Sequence, residues 1–161
     1  MTAPTEVVAA LARASLTIGT AESLTGGLVC ASLTQVPGAS AVVRGAVVAY
    51  ATDLKASLLG VDPELLAHGG AVQADVARQM AQGVCRVLGC AVGVATTGVA
   101  GPEPQDGQPV GTVFVAAAWG DRVVLRALSL QGSRESIRHE SVLSALGLVA
   151  ALVGDMEAAD G

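Results

Sequence analysis

The sequence predicts an α/β domain in which a mixed sheet lies between layers of helices. Short apolar runs rich in Val, Ile and Thr alternate with segments of helical period, the order expected when strands are joined by crossover helices. Two further runs stand back to back around Trp119-Gly120-Asp121, and that single hairpin makes the sheet mixed. Between Leu16 and Leu28, a strand turns into a helix through Ala21-Glu22-Ser23-Leu24-Thr25-Gly26-Gly27, a hydroxyl-and-glycine turn.

Taken in order, residues 4–14 have amphipathic spacing and 16–21 read as the first strand. A helix over 24–35 stops at the turn signal Pro37-Gly38. The run 42–50 is mostly apolar, as a strand covered on both faces would be. Thr52 or Asp53 can cap a helix that carries Lys55 in its first turn and ends by Gly60, and Asp62-Pro63-Glu64 starts another with proline in the first helical position. Val76, Met80, Val84 and Val87 share one face of a helix over 73–88, with Gly89 as its stop. Residues 90–96 form a third strand, and 98–109, with three prolines, a loop. The hairpin strands are 110–118 and 122–130. A helix over 134–153 closes the fold, followed by a short polar tail expected to fray.

The 161 residues fit one domain, 1–161, with a core of its own. Hydrophobic residues make up 52% and aromatics 2%, so that core has to be built from Ala, Val and Leu. A net charge of −5 and the scarcity of stacking aromatics exclude a nucleic-acid binder. Residues 24–43 are uncharged but rich in glycine and hydroxyls, a buried helix and loop rather than a membrane span. The N-terminus has no basic segment followed by an apolar core, which predicts a cytoplasmic protein. Cys30, Cys85 and Cys90 form no Cys-x-x-Cys pair and read as reduced thiols. His68 and His139 have no partner at ligand spacing, so neither a metal nor a cofactor is expected.

Glycines allow close backbone approach and free helix N–H groups attract anions, so the Ser23–Gly27 turn reads as a binding edge. Ser23 there is a nucleophile, an anion contact or a helix cap. Lys55 is the only lysine against eight arginines, and a position that keeps an amine where every other cation is guanidinium needs a group that can deprotonate. Tyr50, the only tyrosine, precedes it by five residues and either covers a strand end or takes part in the chemistry. Arg134 and Arg138 share a helix face, as a solvated patch or as a phosphate clamp, with Arg138 the nearer candidate. The run 142–153 is apolar nearly all round, which calls for burial or a subunit interface.

Together these motifs resemble the C-terminal domain of the CinA family, the competence/damage-inducible proteins whose stand-alone form is nicotinamide-nucleotide amidase. Its carriers are Ala21-Glu22-Ser23-x-Thr25-Gly26-Gly27; Arg44-Gly45-x-Val47-x-x-Tyr50 with Lys55; and Gly70-Ala71-Val72. They continue through Thr97-Gly98-Val99-Ala100-Gly101-Pro102, Pro109-Val110-Gly111-Thr112-Val113, and Gly132-x-Arg134 with Arg138. The resemblance runs from about residue 5 to 153. It implies a three-layer α/β/α sandwich with a five-stranded mixed sheet, a homo-oligomer, and hydrolysis of the carboxamide of nicotinamide mononucleotide. Many family members also carry an N-terminal domain resembling molybdopterin-binding proteins, which these residues lack. Leu24 stands where cysteine is common, Gln73 where serine is, and Ser133 where aspartate is; residues 103–108 lack the usual acidic Gly-Gly stretch.

Metal-free amide hydrolysis needs a nucleophile, a base and oxyanion donors. Ser23 is assigned as nucleophile, Lys55 as base and Tyr50 as the residue that relays or orients the proton. The small-molecule nucleotide would lie against Thr25, Gly26, Gly27, Thr97, Gly98, Ala100 and Gly101, with Arg134 and Arg138 near its phosphate. Two rivals remain: a non-catalytic nucleotide- or anion-binding module, and a Ser/Lys amidase for a different small amide.

Overall fold

In the computed structural model, which describes residues 1–159, five strands and six α-helices form a three-layer α/β/α sandwich. The strands are β1 (Ile18–Glu22), β2 (Val43–Val48), β3 (Val92–Gly98), β4 (Thr112–Trp119) and β5 (Arg122–Ser129). Their order is β2-β1-β3-β4-β5, with β2, β1 and β3 mutually parallel and β4 and β5 antiparallel. Each parallel step needs a crossover, which the intervening helices provide. The hairpin closes through Gly120 and Asp121, with Trp119 opposite Arg122.

The helices are α1 (Pro4–Arg13), α2 (Leu28–Thr34), α3 (Thr52–Leu59), α4 (Pro63–Gly69), α5 (Ala74–Leu88) and α6 (Arg134–Ala159). Side chains alternate across a strand, and the two faces of the sheet therefore cover separate cores. One core packs Ile18, Val92, Val94, Val113 and Val115 under α1, α2 and α6. The other packs Ala21, Ala95, Ala116 and Ala118 under α3, α4 and α5. Central β1 and β3 are buried along nearly their whole length, whereas β2 at the edge alternates.

Three departures from the expected elements have identifiable reasons. Helix α2 starts at Leu28 rather than at 24, because residues 23–28 are taken up by two tight turns, Gly26 N–H to Ser23 C=O and Leu28 N–H to Thr25 C=O. Gly26 (φ 58°) and Gly27 (φ 103°) supply the left-handed backbone these turns require. Helix α6 continues through the polar tail to Ala159, held there by Arg122, whose guanidinium donates to Asp155 at 2.8 Å. Finally, the loop after β3 contains a small hairpin of its own, in which Gln105 and Gln108 exchange backbone hydrogen bonds around Asp106-Gly107, both at positive φ.

Helix α6 is long and apolar enough to cross a membrane by length and composition, yet nine of its residues are buried in the domain. The alanine-lined face of the sheet lets α5 approach the backbone itself. A Cβ on Gly93 would lie 2.1 Å from the Ala81 carbonyl oxygen. The same closeness recurs between helices, where a Cβ on Gly83 of α5 would lie 2.0 Å from the Leu59 carbonyl oxygen of α3. In an open helix, Gly→Ala adds up to about 1 kcal/mol of stability through propensity. At this contact the steric term dominates, and Gly83→Ala is expected to lower stability by about 1–3 kcal/mol. A shift of the urea midpoint to lower concentration at unchanged m-value checks this; a shift to higher concentration would refute the close contact.

Candidate active site

Strand alternation places consecutive residues of the turn motif on opposite faces of the sheet. Glu22 follows Ile18 and Thr20 toward α2, and Ser23 continues Gly19 and Ala21 toward α3. Glu22 is fully buried and its carboxylate accepts four hydrogen bonds: from the hydroxyls of Thr25 (2.7 Å) and Thr20 (3.0 Å) and from the backbone N–H groups of Val29 (2.8 Å) and Cys30 (3.1 Å). The last two belong to the first turn of α2, so Glu22 caps that helix from across the turn and sits at its positive end. The capping role open to Ser23 is thereby filled by Glu22, while Gly27 at the N-cap has no side chain to offer. Thr25, its hydrogen given to Glu22, accepts from Thr96 of β3 at 2.8 Å. Ser23 itself is tied through its backbone N–H to the Thr96 carbonyl.

On the opposite face, Lys55 rises from α3 into a fully enclosed position. Its Nζ donates to Ser23 Oγ at 3.0 Å, to the Ala49 carbonyl at 2.6 Å and to the Tyr50 carbonyl at 3.3 Å. Two carbonyls take two N–H bonds, and neither can give a proton back. Once the amine is neutral, its lone pair is therefore directed to Ser23. Burial pushes the lysine down from its ordinary 10.5 to about 8, against the opposing pull of the Asp106 and Asp53 carboxylates. Because the folded amine holds its proton more weakly than the unfolded one, Lys55 lowers stability at neutral pH. That deficit is absent above pH 10.5 and develops as the pH falls toward 8.

Ser23 is the point where this buried pair meets a cleft at the C-terminal ends of the parallel strands, where α/β sheets bind ligands. Leu24, Tyr50, Ala71, Val72 and the segment 97–101 line it, with Arg134, Glu103 and Gln105 around them. Of the residues singled out from sequence, Ser23, Tyr50, Thr97, Gly98, Ala100, Gly101 and Arg134 lie on the cleft, and Lys55 is sealed behind Ser23. Thr25, Gly26, Gly27 and Arg138 do not line it. Arg138 donates to the Leu24 (2.9 Å) and Thr25 (3.3 Å) carbonyls and so braces the turn from the rear. The cleft-facing arginine is Arg134, which donates to the Gly101 carbonyl and to the Tyr50 hydroxyl (3.1 Å). Ser133 caps α6 by accepting from the Ser136 N–H at 3.1 Å, which positions Arg134 in the first turn. Tyr50 is more than half exposed, its hydroxyl accepting from Arg134, while Ser23 and Lys55 touch each other directly. Thr97 directs its hydroxyl to the Ala71 carbonyl at 2.7 Å.

Sequence reasoning passed over Glu22, Glu103, Gln105 and Asp106. For Glu22 a signal was present, since it is the only charged residue between positions 14 and 43. Among the described residues no three His, Cys, Asp or Glu side chains gather as metal ligands would.

The family model for the CinA C-terminal domain matches residues 2–153. The chain belongs to the CinA family. A CinA-like protein of Frankia casuarinae is 52% identical over 143 residues, covering 89% of this chain and 33% of that protein. A competence-damage inducible protein of Desulforamulus reducens is 47% identical over 83% of this chain and 32% of its own length. The chain thus spans about a third of the curated relatives it matches. Among solved structures, a CinA superfamily protein from Klebsiella pneumoniae superposes with a TM-score of 0.90 at 29% identity, covering 94% of this chain and 96% of that one. A competence/damage inducible protein from Agrobacterium tumefaciens gives 0.84 at 34% identity, covering 94% and 98%.

Since Lys55 is the sole lysine, protein labelled with carbon-13 at lysine Cε carries one side-chain amine signal. Its resonance is expected to titrate with a midpoint of about 8 in the folded protein. A midpoint near 10.5 would place the amine in water and remove its capacity to act as a base.

Proposed function

We propose that this domain hydrolyses the carboxamide of nicotinamide mononucleotide to the carboxylic acid and ammonia by a Ser/Lys mechanism. The observation that carries the reading is the Ser23–Lys55 contact at 3.0 Å, a nucleophile and a buried amine poised at the mouth of a cleft. Family membership supports the reaction class. At neutral pH about a tenth of a group titrating at about 8 is deprotonated, enough to sustain turnover.

Neutral Lys55 removes the Ser23 proton as Oγ attacks the carboxamide carbon, and the carbonyl oxygen takes up the negative charge. Backbone N–H groups of Gly98, Ala100 and Gly101 receive that oxyanion, the Val99 N–H being held by the Thr112 carbonyl. As the tetrahedral carbon collapses, the C–N bond breaks and the Lys55 ammonium passes its proton to the departing nitrogen, which leaves as ammonia. A water molecule then gives a proton to Lys55 and attacks the acyl-serine, releasing the acid and restoring Ser23–OH. Every proton is carried by Lys55, whose two carbonyl partners keep it oriented in both charge states. At the rim, Arg134 receives the phosphate while Tyr50 holds its guanidinium in place.

Ser23→Ala is expected to fold with a near-normal melting temperature and still bind the mononucleotide, yet lose several orders of magnitude in ammonia release. In the wild-type protein, quenching during turnover is expected to trap, on the peptide holding residue 23, an ester of the nicotinic acid mononucleotide carboxyl group with its ribose phosphate still attached. Residual turnover in Ser23→Ala above a few per cent would make the serine a positioning group and the nucleophile water. Full inactivity of the wild type toward the mononucleotide, with hydrolysis of another carboxamide, would move the substrate within the same chemistry.

Arg134→Ala is expected to raise KM for the mononucleotide about ten- to a hundred-fold, from loss of one charge-assisted contact. The ribonucleoside without phosphate reports whether that loss is specific: its KM should change only a few-fold. Equal losses on both would assign Arg134 to shaping the 98–101 segment instead.

A further inference from the structure

Residues 103–108 contribute two side chains to the cleft, Glu103 and Gln105, and form the small hairpin described above. Its tip is Asp106-Gly107, and Asp106 (φ 51°) is directed back at the protein, where Oδ2 accepts from the Ala71 N–H at 3.0 Å. Space for this contact exists because residue 70 is glycine. A Cβ at Gly70 would lie 2.3 Å from the Asp106 carboxyl carbon, and the backbone there is left-handed at φ 75°. Ala71 in turn accepts the Thr97 hydroxyl through its carbonyl, so the hairpin tip, the turn after α4 and the end of β3 are joined in one line of hydrogen bonds. Ala71, Val72 and Thr97 all line the cleft.

We propose that Asp106 is a positioning residue of the cleft: it fastens the 103–108 hairpin to the Gly70–Ala71 turn and so fixes Glu103 and Gln105 relative to Ser23. A second consequence follows from charge. The carboxylates acting on Lys55 are Asp106, from this hairpin, and Asp53, from its own helix, and both favour the protonated amine. Helices α4 and α5, which pack around α3, spend their charges elsewhere. Glu64 and His68 pair with each other on the surface, Asp75 pairs with Arg78, and Arg86 donates to the Leu59 carbonyl. Asp106 is thus both the fastening of the hairpin and a charge that restrains the deprotonation of Lys55.

Two variants separate these effects. In Asp106→Asn the side-chain oxygen still accepts from Ala71 but the charge is gone; in Asp106→Ala both are lost. The lysine Cε resonance is expected to titrate at lower pH than wild type in both variants. Exchange of the Ala71 amide hydrogen should accelerate in Asp106→Ala and stay near wild type in Asp106→Asn. The kinetic arm rests on the amidase reading: the acid limb of ammonia release from nicotinamide mononucleotide should move to lower pH in both variants. KM should rise about tenfold or more in Asp106→Ala only, because the bond that fastens the hairpin is lost there and kept in Asp106→Asn. An unmoved lysine midpoint in both variants, or unaltered Ala71 exchange in Asp106→Ala, overturns the assignment. Absence of ammonia release by the wild type would overturn the activity reading alone, because titration and exchange are read without turnover.

Discussion

The arrangement depends on one buried carboxylate. Glu22 lies buried at the C-terminal end of the interior strand β1 with no cation against it, and four donors take the place that water would otherwise hold. A charge in that position is tolerated only when its hydrogen bonds are complete. The four donors come from β1, the turn and the start of α2, so any shift of one of these segments would strip the carboxylate of a partner. The turn that bears Ser23 is therefore held from within, by Glu22 and Thr25, and from behind, by Arg138 on its carbonyls. A hydroxyl on a loop gains the rigidity of the sheet by this means.

Lys55 answers a different requirement. Its carbonyl partners satisfy the ammonium form, while enclosure disfavours it, and the balance leaves the amine close to half-protonated near pH 8. Stability and a neutral amine are opposed at this position, since the burial that destabilises the folded state at neutral pH is what leaves part of the amine unprotonated there. Two carboxylates, one local and one borne by a distant hairpin, restrain that loss of the proton.

Much of this could be read from the chain itself. Alternation of periods, the Asp62-Pro63 start, the Gly89 stop and the Trp119–Asp121 turn each specify a local conformation, and the five strands and the order of helices followed. The lone lysine and the hydroxyl turn marked the Ser23–Lys55 pair because each is unusual in composition. What stayed hidden depended on side-chain reach across the fold. The chain alone puts Arg134 and Arg138 on one helix face with Arg138 the preferred phosphate contact, but the Arg138 guanidinium is taken up by the Leu24 and Thr25 carbonyls behind the turn and it is Arg134 that faces the cleft. Asp106 looked like an ordinary loop residue because its partner, the Ala71 N–H, is 35 positions away. Ser23 resembled a helix cap because strand-to-helix turns usually cap locally, whereas here a residue one position earlier does it from inside the sheet.

The small residues between α5 and the sheet carry a consequence for how this protein tolerates sequence change. Where Ala21, Ala95, Ala116 and Ala118 meet Val76, Ala77 and Ala81, there is little side-chain volume to lose, so truncations open small voids. Enlargement is the damaging direction, because helix and strand backbones already touch and neither can retreat without the other. Sequence drift along this seam should therefore be confined to exchanges among glycine, alanine and serine. Variation in size belongs to the opposite face, where Leu, Ile and Val side chains interdigitate under α1 and α6. The two faces of one sheet thus set different limits on substitution, close contact on the face that supports the lysine and volume-filling on the other.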